Sequence, residues 1–256
     1  MAGLNPVLFT ERVLQDFLRY QVTTHRFADP DLQRQLEALL NLAHARQSPL
    51  IKGPYVSLAR AFRPGPPMSE LVDEGVLHPH IPNLFTMPSL YGHQERACRA
   101  TSAGKSTIIS TGTGSGKTES FLLPIISRCL QLRDEGASPG IRTVILYPMN
   151  ALAEDQLARL RELLCGTGIP FALYIGKTPE RRADVRGVRL PPGSSRADYR
   201  AHADRMRTNR ESVALHPPEE RVSREELRTP GLQPRILLTN AKMLELLLTR
   251  ATDVEL

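Results

Sequence analysis

The chain of 256 residues has no tryptophan, only three cysteines and no long apolar run. Cys98, Cys129 and Cys165 are odd in number and far apart, which argues against a disulfide framework and against a zinc site. A membrane-spanning helix needs about 18 consecutive apolar residues, and none is present. Residues 1–10 are mildly apolar but run into Glu11 and Arg12, unlike a secretory leader. These absences predict a cytoplasmic chain with no membrane partner. A hydrophobic content of 41% still supports a core, within one large domain or a domain with an appendage.

The net charge is +6, and the excess is uneven: residues 181–235 hold thirteen arginines against eight acids. A basic segment suits a phosphate backbone, but a solvated, flexible insertion accounts for the same charge. Both readings stay open at this level.

Residues 1–89 read as a helical and irregular accessory region. Thr10 is placed as the cap of a helix through Tyr20, and Asp29-Pro30 starts a second helix to about Arg46. Leu32, Leu36, Leu39, Leu40 and Ala43 give that helix an apolar face. Lys52-Gly53-Pro54-Tyr55 and Pro64-Gly65-Pro66-Pro67 mark loops around a short helix over 69–74 that Gly75 stops. From residue 90 strands alternate with helices. Continuous apolar runs at 106–111, 142–147, 171–175 and 235–239 suit strands buried on both faces of a parallel sheet. Helices are expected over about 116–132, kinked at Pro124, and over 150–165 and 240–250. With the glycine-rich stretch TGTGSGKTES between the first strand and its helix, the order resembles an α/β, RecA-like P-loop domain over 90–256. Residues 186–218 interrupt the alternation and are expected to be a poorly ordered, arginine-rich insertion.

The stretch TGTGSGKTES lies between a strand and a helix. Glycines at Gly112, Gly114 and Gly116 let the backbone approach a ligand and aim its N–H groups inward. Lys117 can reach the β- and γ-phosphates of a nucleotide, and Thr118 can ligate Mg²⁺. The expected nucleotide site is Thr111, Gly112, Thr113, Gly114, Ser115, Gly116, Lys117, Thr118 and Glu119, with Lys117 and Thr118 as its catalytic members. A second Gly-Lys-Ser at Gly104 lacks the preceding glycine, since position 99 is arginine, so Gly104 reads as a turn residue.

Four further segments carry a resemblance. Leu90-Tyr91-Gly92-His93-Gln94 resembles the Q motif of superfamily 2 helicases, in which Gln94 would read both N6 and N7 of adenine. Tyr147-Pro148-Met149-Asn150 and the following Ala-Leu-Ala-Glu-Asp-Gln resemble motif Ia, and Thr239-Asn240 resembles motif Ib. Tyr174-Ile175-Gly176-Lys177-Thr178-Pro179 resembles the glycine-containing motif between them, although many relatives carry an acid where this chain has Lys177. Thr111 in place of the first Walker glycine is the usual helicase form. The order of phrases, with Ser223 to Leu227, is similar to the YprA-like branch of the DEAD/DEAH-box helicases.

The resemblance implies ATP and Mg²⁺ as cofactors and DNA or RNA as partner, gripped through phosphates by Pro148, Asn150, Gly176, Thr178, Thr239 and Asn240. Asn150 is also expected to cap its helix. Such a motor also needs an acidic box and an arginine finger. Neither Asp73-Glu74 nor Asp134-Glu135 is at a strand end. The chain is therefore expected to be the front of a longer protein, partnered by its remaining helicase domains and poorly active alone. A nucleotide-binding module without motor activity is the rival reading. A P-loop kinase is the weaker one, since it gives no reason for Gln94, Pro148 or Asn240.

Overall fold

The computed structural model describes residues 5–40, 61–210 and 213–250, in two compact units, Met1–Ala61 and Phe62–Leu256. In the first unit, prolines open α1 (Pro6–Thr24) and α2 (Pro30–Leu40), where a missing N–H breaks no helical bond. Thr10 therefore falls inside α1 and does not start it. Asp29 Oδ1 caps α2, accepting from the N–H of Asp31 at 2.7 Å and of Leu32 at 3.3 Å. The expected continuation to Arg46, including Ala43, and the loop at Lys52 lie outside the described residues.

The second unit opens with β1 (Pro64–Pro67), α3 (Met68–Asp73), α4 (Ile81–Leu84) and β2 (Ser89–Tyr91). The proline run expected as a loop pairs antiparallel with β2 through a shifted register. Proline tolerates such an edge because its fixed φ suits extended backbone and the ladder does not need its N–H. Met68, Leu71, Leu77 and Ile81 join the main core, so residues 62–89, expected as part of the accessory region, belong to the second unit.

Next come α5 (Gly92–Ser102), α6 (Lys117–Asp134), β3 (Thr143–Tyr147), α7 (Asn150–Leu164) and β4 (Phe171–Tyr174). A 3-10 turn (Arg182–Asp184) precedes β5 (Val188–Arg189), α8 (Arg196–Thr208), β6 (Leu215–His216) and β7 (Glu220–Arg221). The described chain finishes with α9 (Arg224–Arg228), β8 (Ile236–Asn240) and α10 (Ala241–Thr249). Four strands form a parallel sheet in the order β3-β8-β4-β7, as the α/β reading expects. Leu123 and Ile126 of α6 and Leu157 and Leu160 of α7 bury one face against Ile145, Phe171, Ile236 and Leu238. The other face sets Ala172, Tyr174 and Leu237 against Leu227, Met243 and Leu247. Two buried faces are why the runs of β4 and β8 are apolar without alternation, whereas β3 departs from that expectation: Ile145 is buried, but Val144 and Leu146 on its other face are exposed.

Two further expectations fail. Residues 106–111 form no strand: they are coil, paired with no described strand, and Ile108 is 97% exposed. β-Branched residues favour a pleated surface, but neighbours must supply the ladder that makes a strand. The segment 186–218 is also not poorly ordered. β5 and β6 pair in parallel, α8 crosses between them, and Leu190, Leu215, Tyr199 and Met206 pack on Cys165 at the end of α7. Its charge is largely consumed in ion pairs: Arg189 meets Glu226 at 2.7 Å, and Arg200 meets Glu162 at 2.8 Å.

Candidate functional site

Residues 111–118 turn from exposed coil into α6, and Gly112, Thr113 and Gly114 are open to solvent. Gly114 and Gly116 have φ of 74° and 71°, the left-handed region that glycine enters without strain. At Gly116 a Cβ would also crowd Gln94 Nε2, which adds to the strain that its φ sets on any other residue. Thr111 Oγ1 and Ser115 Oγ are 2.6 Å apart and brace the loop, while the exposed Lys117 donates from Nζ to the Thr111 carbonyl at 2.7 Å. Thr118, at the first turn of α6, is half-buried, and no hydrogen bond of its hydroxyl is found among the described residues.

Glu119 lies beside the loop, its Oε2 within 3.0 Å of a Cβ built on Gly116. Its carboxylate pairs with Arg159 on α7, forty residues on, beyond any local spacing signal. Gln94 is engaged at both ends of its amide. It is 2% exposed, its Oε1 accepts from the Tyr91 N–H at 2.8 Å, and its Nε2 donates to the Gly116 carbonyl at 3.0 Å. It caps its own helix and ties it to the loop; it does not present a free edge to adenine. His93 adds a second tie, Nε2 to Ser115 O at 2.9 Å, and its ring stacks on Tyr91 at 5.8 Å. Phe62 closes this aromatic group and comes within 4.0 Å of a Cβ built on Gly112.

At the sheet edge, Tyr147 is level with Asn240, and Tyr174 with Thr239, so three strands end together. Asn240 Nδ2 donates to Asn150 Oδ1 at 2.8 Å, bringing two expected site residues from different strand ends into contact. Asn150 does not cap α7, whose cap position is Met149 with no side-chain bond. Asn240 does cap α10, accepting from the Met243 N–H at 2.8 Å. Pro148 and Gly176 are exposed on this edge. Thr178 is bent inward, donating to Leu173 O at 3.0 Å and accepting from Ile175 N at 2.9 Å, which shapes the turn. Thr239 cannot meet a ligand: it is fully buried, and its hydroxyl donates to Tyr174 O at 2.6 Å.

Other groups are structural. Among the described residues no cluster of three or more His, Cys, Asp or Glu could hold a metal ion. Burial pushes the Cys98 thiol up to about 12 and the Cys129 and Cys165 thiols up to about 11, so all three are poor nucleophiles and poor ligands. Asp134 ends α6 beside His78 at 2.8 Å, and Glu74 pairs with Arg99; neither approaches a strand end. A buried triad behind the sheet has no local signal in the chain. Arg161 grips Glu220 through two bonds of 2.8 and 2.7 Å, and His216 Nδ1 lies 2.9 Å from the same carboxylate. No described helix is long and apolar enough to cross a membrane.

Comparison with known proteins agrees with this order of parts. Residues 91–191 match the family profile described as DEAD/DEAH box helicase. The chain is 35% identical over 196 residues to the Druantia protein DruE of Escherichia coli (strain UMEA 4076-1), covering 66% of this chain and 10% of that protein. It is 34% identical over 123 residues to the uncharacterized ATP-dependent helicase YprA of Bacillus subtilis (strain 168), covering 47% of this chain and 15% of that one. A crystal structure of the DUF1998 helicase MrfA bound to DNA and AMPPNP aligns with a TM-score of 0.43 at 23% identity, over 77% of this chain and 21% of that one. The chain thus spans between a tenth and about a fifth of these relatives. With its glycine-rich loop, the chain carries over residues 91–191 a segment of the DEAD/DEAH box helicase family.

Proposed function

We propose that this chain is the ATP-binding part of an ATP-dependent nucleic-acid helicase or translocase that works in the cytoplasm. The observation that carries the reading is the open loop at 112–114 with the Lys117 ammonium at its mouth. Loop N–H groups and the start of α6 would hold the phosphates, and Lys117 would exchange the Thr111 carbonyl for a phosphate oxygen. The Thr118 hydroxyl would be the chain's own ligand to Mg²⁺, with the remaining positions left to phosphate oxygens and water. Bound ATP would supply the free energy of the cycle; the residues here position it. The remaining helicase domains of the whole protein would contribute the acidic box and arginine finger that hydrolysis needs.

The nucleic-acid backbone, DNA or RNA, would run along Pro148, Asn150, Asn240 and Gly176. Asn240→Asp tests this edge, because aspartate caps α10 as well as asparagine does but adds a charge beside Asn150. The expected result is about a tenfold loss of single-strand affinity by fluorescence anisotropy at low salt, as one like charge close to phosphate costs about 1 kcal/mol or more. Unchanged affinity would remove this edge from the interface.

A further inference from the structure

Beside the tip of β4 a cleft of about 340 Å³ opens between α7, β4 and β7. Its floor is apolar, with Leu157, Leu173 and Ile175, and its walls carry four cations, Arg161, Lys177, Arg186 and Arg221, against two carboxylates. The cations are not equivalent. Arg161 is committed to Glu220, and Arg221 donates to the carbonyls of Leu232 and Pro218 at 2.9 Å each. Lys177 and Arg186 are both exposed, and among the described residues neither side chain has a hydrogen-bond or ion-pair partner. They are nine positions apart, one just past the β4 tip and one at the neck of the 186–218 unit, yet they share one rim. Two free cations beside Gly176, where most neighbouring arginines are consumed in ion pairs, are complementary to successive phosphates on one strand.

We propose that Lys177 and Arg186 form a second grip for a single nucleic-acid strand, on its phosphate backbone, at the mouth of this cleft. The grip rests on the nucleic-acid reading above and extends the interface from the Asn150–Asn240 edge to the 186–218 unit. It needs no base readout, so it holds any sequence.

The test measures the affinity of the full chain for a fluorescein-labelled oligo-dT across a series of NaCl concentrations. Each phosphate contact on a single strand adds about 0.7 to the slope of log affinity against log salt, so Lys177→Ala/Arg186→Ala should flatten that slope by about 1.4. Lys177→Arg/Arg186→Lys should keep the wild-type slope, which separates charge from packing. A slope unchanged in the alanine variant overturns the grip. Displacement of the strand from wild type, but not from the alanine variant, by polyglutamate at equal charge would make the cleft a peptide site and also overturn it. A wild type that binds no oligo-dT at any salt contradicts the nucleic-acid reading itself, a distinct failure.

Discussion

Replacing Lys117 by alanine lowers the affinity for ATP while leaving the fold intact. The ammonium is exposed, and its one bond in the structure is to the Thr111 carbonyl at 2.7 Å, so the folded chain loses little. The nucleotide loses a charge-assisted bond to phosphate, about 1.5–3 kcal/mol, or about a tenfold to hundredfold rise in Kd. Titration of a fluorescent ATP analogue, with the urea midpoint as control, reads both quantities. Equal Kd values for the variant and the wild type would mean that the loop is not the phosphate site.

Arg161→Met should produce the largest loss of stability. Glu220 is 3% exposed, and its charge is tolerated because Arg161 and His216 meet it. Removing one partner of a buried pair leaves the other uncompensated, at a cost of about 3–5 kcal/mol. Arg161→Met/Glu220→Leu should recover most of that loss in urea unfolding, because an apolar replacement of both partners is often neutral. A single variant as stable as the wild type would show that the triad is not a support of the fold.

The same triad sets an acid limit. Burial of Glu220 favours its neutral form, but the bonds from His216 and Arg161 outweigh this and hold its carboxyl below the usual range. Since the folded value is depressed, the contribution is fully present above the unfolded value, about 4.3, and is lost as pH falls through the folded value. Glu226, paired with Arg189 despite its burial, shifts in the same direction and adds to this limb. Stability should therefore fall with acid below about pH 4.3, and less steeply in Arg161→Met/Glu220→Leu.

What the sequence made legible follows from how local each cause is. The runs at 171–175 and 235–239 became β4 and β8 because burial on two faces writes itself as unbroken apolar residues, and 142–147 became β3 although Val144 and Leu146 stay exposed on its second face. The loop glycines were legible because a positive φ at Gly114 and Gly116 leaves few choices of residue. Where the cause is distant, the reading failed. Residues 106–111 have strand composition but no neighbour, and β1 is a proline run that pairs only because β2 lies beside it. The 186–218 unit folds on strands of two residues, too short to show a period, and on arginine pairs with Glu162 and Glu226. Thr239 looked like an edge residue, but the register that levels Tyr174 with it turns its hydroxyl into the sheet. Gln94 was correctly set beside the loop, but its tie to Gly116 depends on an approach 22 residues away.

Nucleotide phosphates seated on 111–118 are the claim on which the rest depends, and backbone amide shifts report it most directly. On titrating ADP and Mg²⁺ into the ¹⁵N-labelled chain, the largest shifts should fall on Gly114, Gly116, Lys117 and Thr118, with smaller ones at His93 and Gln94 through their bonds to the loop. Shifts confined to other segments, with these amides unmoved at saturation, would contradict the account.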